Sequence, residues 1–582
     1  MLSLQGIAVS PGVAIGDAFV VDEEGFRIVR RSITADAVPE ELERLRAAID
    51  AAAHEIDANR RVVAEQLGEQ YGAIFQAHRQ MLNDPRLLEE LRRHIEHDHY
   101  SAEFAVAATL GRYAKVFDAL PGPVVTERAH DIRDIERRLL RQLTGRHRKQ
   151  LYQLRAPAVV LARDLAPSET ARLDPQFVLG FVTEAGGVGG HTAILAKAKE
   201  IPAVVGTGPF LTEVTVGDTV IVDGDHGRVV IRPDEATLGR YRSEAEHHRT
   251  VVGQFEQKAA EPACTADGTP LSVRANIEFP AEVEAARRRG ADGIGLYRSE
   301  FLYLAADDEP TEEDHFRAYD EVARAMAPRP VIIRTLDLGA DKLGRRRRGS
   351  DEPNPFLGLR SIRLSLRHPD EFRTQLRAVL RASSIGNVQV MFPMIATLEE
   401  LRQARRVLQQ AMDELEDRGQ PFNRQIRVGI MVEVPSTVVM IERFLPEIDF
   451  ISIGTNDLAQ YTLAVDRANH EVAYLYQPTD PSVLALLQRT IEAADRHQIP
   501  VAACGQMSSH PGQALLLLGL GLRDFSVPPA AIAEIKAVLR KARLDECRDL
   551  AARALTCDDA RQVNQLLADE LKRLDPQLAS LI

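Results

Sequence analysis

His191 has the setting that most invites chemistry. It stands in EAGGVGGHTAILAKAKEIPAVVG, after Gly186, Gly187, Gly189 and Gly190 and before an amphipathic run. The pattern predicts a strand, a glycine-rich loop, and a helix whose first turn carries the histidine. Glycines let the backbone approach a ligand closely and adopt positive φ. Free N–H groups and the positive end of a helix dipole favour an anion there. An imidazole so placed is suited to accept a phosphoryl group. Taken alone, a packing loop with an incidental histidine would read the same way. The second half of the chain argues against that, because it gathers groups for a small phosphorylated acid.

In that half, short apolar runs end on reactive side chains: Arg298, Arg334, Glu433, Asn456 with Asp457, and Cys504. Arg360 and Arg467 follow in the loops just beyond. Arginine's planar fork suits bidentate binding of carboxylate and phosphate, so several of them converging imply a ligand with more than one negative charge. Glu433 and Asp457 are hard oxygen donors. Two carboxylates completed by substrate phosphate are a usual way to hold Mg²⁺, although salt bridges to the same arginines would use the same residues. A thiol at Cys504, in ACGQM, could protonate a carbanion-like carbon.

These residues need elements to carry them. The runs LSVRANIE, GIGLYRSEF, PVIIRTLD, VQVMFPM, RVGIMVEVPS, FISIGTND, PVAACGQM and DFSVPP alternate with helical patterns over residues 262–582. Eight such runs predict a (β/α)₈ TIM barrel, whose active site sits at the C-terminal ends of its strands. Upstream, residues 1–22 and 147–232 read as one α/β part. It is interrupted by a helical block at 34–146, where Asp84-Pro85 reads as an N-cap with proline at N1. Residues 233–261 read as a charged linker helix. The fold class expected is multidomain α/β with an inserted helical subdomain and a C-terminal barrel.

Composition narrows the function. A net charge of −13 argues against a nucleic-acid partner. The four cysteines show no C-x-x-C pairing and no zinc spacing, which fits a reducing compartment. The start, MLSLQGIAVSPGVAIG, reads as strand and turn, not as a signal peptide. No apolar run reaches the roughly 20 residues of a membrane helix, so no membrane insertion is expected and the cytoplasm is the expected location. Two weaker features remain. HIEHDHY (His94, His97, His99) could bind metal or be a solvated helix face. Arg345 to Arg348 could concentrate an anionic substrate or be a solvated loop.

SPGVAIG, AHRQML, DLAPSET, GGVGGHTAILAKA, GIGLYRSEFLY, IRTLDLGADK, NPFLGLR, VEVPS, GTNDLAQYTLAVDR and ACGQM together identify a family. Over nearly its full length the chain resembles enzyme I of the phosphoenolpyruvate:sugar phosphotransferase system. Many of these motifs also occur in pyruvate phosphate dikinase and phosphoenolpyruvate synthase, which carry a large ATP-binding domain for which this chain has no room. The resemblance implies phosphoryl transfer from phosphoenolpyruvate to His191, then to a histidine of the carrier protein HPr, with release of pyruvate. It makes 1–22 and 147–232 the phosphohistidine domain and 34–146 the HPr-docking subdomain. Arg298, Arg334, Asn456, Asp457 and Arg467, with Arg360 and Lys342, would bind phosphoenolpyruvate. Glu433 and Asp457 would hold Mg²⁺, and Cys504 would protonate C3 of the enolpyruvate. The family is a dimer through its barrel, so a homodimer is expected.

The chain also departs from the family pattern. Gly189-Gly190 replace the usual Thr-Ser before the histidine, and Ala166 stands where the family often has Thr. Gln506 replaces Glu two residues after Cys504, and the four-arginine run after Lys342 is unusual. The lost hydroxyls are what favours an alternative role as a phosphoenolpyruvate-sensing regulatory relay. No sensory segment precedes residue 1, which points to the sugar branch rather than the nitrogen-related one.

Overall fold

The computed structural model describes the 582-residue chain apart from residues 11, 22–31, 68–72, 119–122, 145–153, 155, 166–172, 175, 187–195, 197–198, 200, 216, 305–308, 340–353, 468, 470 and 577–582. His191, Gly189, Gly190, Ala166, Lys342 and the run Arg345 to Arg348 lie outside the described residues. The chain divides into two compact units, Met1–His247 and His248–Ile582.

In the first unit, three strands open the chain: β1 (Leu2–Gln5), β2 (Ile7–Ser10) and β3 (Val13–Val20). Five helices follow: α1 (Val38–Leu67), α2 (Ala73–Leu82), α3 (Pro85–Glu96), α4 (Ala102–Asp118) and α5 (Pro123–Thr144). Leu87, Leu91 and Ile95 of α3 recur every four residues and are buried, the period of one helix face. Asp84 caps this helix, its carboxylate accepting from the Arg86 N–H at 2.8 Å. The block also buries charge. Arg138, 1% exposed, donates to Asp134 and Glu55, both at 2.9 Å.

Strands then resume as β4 (Ala158–Ala162), β5 (Val178–Thr183), β6 (Ala203–Val205), β7 (Thr219–Asp223) and β8 (Arg228–Ile231). They join β1–β3 in one eight-stranded sheet, ordered β1-β8-β7-β3-β4-β5-β6-β2. β3 to β6 run parallel, and the remaining pairs are antiparallel. Both faces of the central strands are buried, which is why AVVLA reads as a continuous apolar run. At the end of β5 the Glu184 carboxylate accepts the N–H groups of Phe210 (2.7 Å) and Leu211 (2.8 Å). Gly186 follows at φ +120°, a conformation that excludes most side chains. α6 (Glu235–Gln257) spans the boundary between the two units.

The second unit is a closed barrel of β9 (Ser272–Ile277), β10 (Ile294–Arg298), β11 (Val331–Arg334), β12 (Val388–Phe392), β13 (Val428–Val432), β14 (Phe450–Ile453), β15 (Val501–Ala503) and β16 (Asp524–Val527). Every neighbouring pair is parallel. The helices between them have clear starts. Thr311 with Asp314, and Thr397 with Glu400, each form a reciprocal capping box. At the end where α6 runs out, Lys536 is 1% exposed. Its ammonium donates to the carbonyls of Ala259 (3.1 Å), Glu261 (3.3 Å) and Gly290 (2.6 Å). Arg540 adds a bond to the Pro262 carbonyl at 3.3 Å. Among the described residues no helix is long and apolar enough to cross a membrane.

Candidate active site

The site lies at the C-terminal rim of the barrel. Arg298 and Arg334 are the last residues of β10 and β11. Glu433 follows β13, and Cys504 follows β15. Asn456 and Asp457 sit in the first turn of the helix Thr455–Leu463, which begins two residues after β14. Arg360 precedes the helix Ser361–Arg367, and Arg467 occupies a turn after Thr455–Leu463.

Carboxylates tie the arginines together. Asp337 is the hub: its Oδ2 meets Arg334 Nη1 at 2.9 Å, and its Oδ1 meets Arg360 Nη2 at 3.0 Å. Glu300 pairs with the other arm of Arg334. Arg360 Nη1 lies 3.7 Å from Asp457 Oδ1, and Arg467 Nη2 lies 3.9 Å from Asp457 Oδ2. Arg298 donates to Glu278 at 2.8 Å. The rim thus joins Arg334, Arg360, Arg467, Asp337 and Asp457 into one charged network. Burial disfavours the Asp337 carboxylate, but Arg334 and Arg360 outweigh it and hold the group below its usual range. Burial likewise works against the Arg334 charge, and Glu300, Asp337 and Glu433 overcome it.

Glu433 is 1% exposed. Its Oε1 accepts the Met394 N–H at 2.6 Å. Oε2 accepts no hydrogen bond, and neither does Asp457 Oδ1. Burial, then the Asp457 and Asp337 charges, push the Glu433 carboxyl well above its ordinary range. Two buried carboxylate oxygens without donors, in a site where acid crowds acid, are an arrangement that a cation would relieve. The donor chemistry, hard oxygens only, suits Mg²⁺ with its remaining positions filled by substrate and water. Among the described residues no group of three or more His, Cys, Asp or Glu side chains is gathered as a metal site. A two-carboxylate site falls below that number.

Cys504 is 4% exposed and packs with Leu296, Ile332, Met391, Met431 and Phe450 beneath the charged rim. Burial raises its thiol above the usual value, against the opposing pull of Ser452 and Arg334, so it keeps its proton. Its Sγ contacts the Ile453 carbonyl at 3.5 Å. Asn456 Oδ1 accepts the Gln506 N–H at 2.9 Å. That leaves its amide nitrogen as the group that could donate to an anion. The Gln506 side chain is exposed, so what this residue gives the corner is its backbone N–H.

Sequence reading passes over Glu300, Asp337, Glu278, Met394 and Tyr461. Tyr461 OH accepts from Arg360 Nη1 at 3.3 Å and donates to the Phe356 carbonyl at 2.6 Å. A signal exists for Asp337, which stands three residues after Arg334 in IRTLDLG. Met394 has none, because it acts through its backbone at φ 54°. Of HIEHDHY, His94 Nδ1 lies 2.6 Å from the Asp98 carboxylate and its Nε2 3.8 Å from that of Glu90.

Three family models match the chain. They are the PEP-utilising enzyme N-terminal part over residues 5–128, the mobile domain over 154–227, and the PEP-binding domain over 253–544. The phosphoenolpyruvate-protein phosphotransferase of Geobacillus stearothermophilus is 42% identical over 561 residues, 96% of this chain and 97% of its own. That of Priestia megaterium is 40% identical over 92% of this chain and 94% of its own. That of Staphylococcus aureus is 38% identical over 98% of this chain and 99% of its own. A solved enzyme I structure, 39% identical, covers 42% of this chain and 99% of its own with a TM-score of 0.37. Identity sustained over both full lengths settles the family: the chain belongs to the phosphoenolpyruvate-protein phosphotransferases, among the PEP-utilising enzymes.

Proposed function

We propose that this chain moves the phosphoryl group of phosphoenolpyruvate to His191 and then to a histidine of HPr, releasing pyruvate, as the first step of sugar uptake by the phosphotransferase system. The observation that carries the reading is the rim network. Arg334, Arg360 and Arg467 meet around Asp337 and Asp457, beside a buried thiol that keeps its proton.

Phosphoryl transfer needs positioning and charge neutralisation more than covalent help. Arg298, Arg334, Arg360 and Arg467 bind and orient the phosphate and carboxylate, joined by Lys342 and the amide nitrogen of Asn456. Glu433 and Asp457 would hold Mg²⁺, which neutralises charge on the phosphoryl and enolate oxygens when bound. A neutral His191 nitrogen bonds phosphorus as the bond from phosphorus to the enol oxygen breaks. The enolate electrons then take the Cys504 proton at C3, giving pyruvate, and the thiolate regains a proton from water.

Residues 1–22 and 147–232 form the phosphohistidine domain in this reading. The block 34–146 docks HPr, 233–261 links, and 262–582 binds phosphoenolpyruvate and pairs with a second copy in the cytoplasm. Incubation with phosphoenolpyruvate labelled in its phosphoryl group, with and without HPr, tests the route. Acid-labile label should appear on His191, vanish in His191→Ala, and pass to HPr when HPr is added. Label on another histidine would overturn the assignment.

A further inference from the structure

Asn276 is the last polar residue of β9. Val273, Ala275 and Ile277 of that strand pack into the core behind the barrel, so Ser272, Arg274 and Asn276 take the lumen face. The Asn276 amide nitrogen donates to two carbonyls, Cys504 at 3.1 Å and Ser526 at 3.0 Å. Its oxygen accepts from the Ser526 hydroxyl. Both ends of the amide are therefore engaged, and the two carbonyls, which can only accept, fix which way round it lies. A Cβ on Gly295 would stand 2.1 Å from that hydroxyl, so the glycine leaves Ser526 its room.

Cys504 is held on each side. Its own N–H and its Sγ both contact the Ile453 carbonyl, at 3.1 and 3.5 Å. After it, Gly505 is pressed on Thr455 so closely that a Cβ would lie 1.8 Å from the Thr455 hydroxyl oxygen. With its N–H and C=O both anchored, Cys504 keeps one free torsion, χ1, to aim its sulfur.

We propose that Asn276 is a positioning residue for the protonation step: by holding the Cys504 carbonyl it fixes where the thiol stands relative to the enolpyruvate carbon. This rests on the reading of Cys504 as proton donor. A thiol fixed in this way delivers its proton to one face of C3, whereas water in an open site would deliver to either.

The test uses the full-length enzyme with HPr and phosphoenolpyruvate bearing deuterium stereospecifically at C3, turned over in tritiated water. The chirality of the pyruvate methyl group reports the face protonated. Wild type should give a chiral methyl, and Cys504→Ala a racemic one. Asn276→Asp keeps size and the acceptor for Ser526 but loses both donations. It should lower kcat by about tenfold to hundredfold at unchanged KM for phosphoenolpyruvate, with chirality partly lost. Ser526→Ala should move the same way and less far, and it decides the matter if Asn276→Asp does not fold. Wild-type kcat and chirality in the Asn276 and Ser526 variants, with a racemic product from Cys504→Ala, would overturn the role of Asn276 alone. A slower variant with full chirality would make Asn276 a strand stitch only. A chiral product from Cys504→Ala would overturn the proton-donor reading, and the proposal with it.

Discussion

The backbone N–H of Met394 donates to Oε1 of Glu433 across 2.6 Å. Met394 adopts φ 54° to do so, a left-handed conformation that is uncommon for a non-glycine residue. One carboxylate oxygen is thereby fixed, and Oε2 is left without a donor. A Cβ on Gly454 would stand 2.6 Å from Oε2 and 2.9 Å from the Glu433 Cβ.

Gly454→Ala should therefore displace the Glu433 carboxylate while leaving the barrel folded. Overpacking of this kind costs about 1–3 kcal/mol. Turnover measured across a Mg²⁺ titration should fall at least about tenfold, as expected when a ligand is misplaced by a fraction of an ångström, and half-saturation should need more metal. Unchanged metal dependence would remove Oε2 from the proposed site.

Asp337 carries two buried guanidinium groups, Arg334 and Arg360. Breaking a buried pair leaves charge without compensation and costs about 3–5 kcal/mol. Asp337→Ala should lower the denaturation midpoint of the barrel accordingly and raise KM for phosphoenolpyruvate, because both arginines lose their orientation. A variant that unfolds like wild type would mean that Glu300 and Asp457 suffice to hold the arginines.

How much of this could be read from the sequence depended on the kind of contact. Most of the eight barrel strands are legible because they are buried on both faces and so appear as short apolar runs between turns, whereas Ser272–Ile277 alternates polar and apolar. β8 escapes notice: RVVI is four residues long, lies just after a tight turn, and ends two residues before Pro233. Arg334, Glu433 and Asp457 stand out by type and position. Glu300 does not, because its partner Arg334 stands on the next strand, and Asp337 is marked only by its place three residues after Arg334. Asn276 left a fainter trace, as one of the polar residues in every second place of Ser272–Ile277.

His315 offers a test of acid stability. It is 1% exposed, and burial lowers its pKa from 6.5 to about 4. Its Nδ1 lies 2.9 Å from the Tyr319 hydroxyl. The unfolded chain takes a proton near pH 6.5, whereas the folded one stays neutral until about pH 4. The group's contribution is thus fully present at neutral pH and lost as pH falls through that window, up to about 3 kcal/mol at about 1.4 kcal/mol per pH unit. Urea midpoints of wild type and His315→Gln should converge between pH 7 and pH 4. A gap independent of pH would show that the histidine is not buried neutral.

Gln506→Glu restores the residue usual in the family. The side chain is exposed and the backbone N–H makes the contact. Turnover and the rate of Cys504 alkylation should change by less than about twofold, the usual scale for a surface substitution. A larger change would assign that side chain a part in activating the thiol.

The three carbonyls gathered on Lys536 bear on where this chain can be cut. Two of them, from Ala259 and Glu261, precede the first barrel strand by more than ten residues. A barrel excised from Ala263 onward would strand a buried ammonium with the Gly290 carbonyl and Asp292, 4.0 Å away, as its remaining partners. Burying an ammonium that has lost its acceptors is costly. The autonomous unit therefore begins no later than Ala259, and the turn that follows α6 belongs to it.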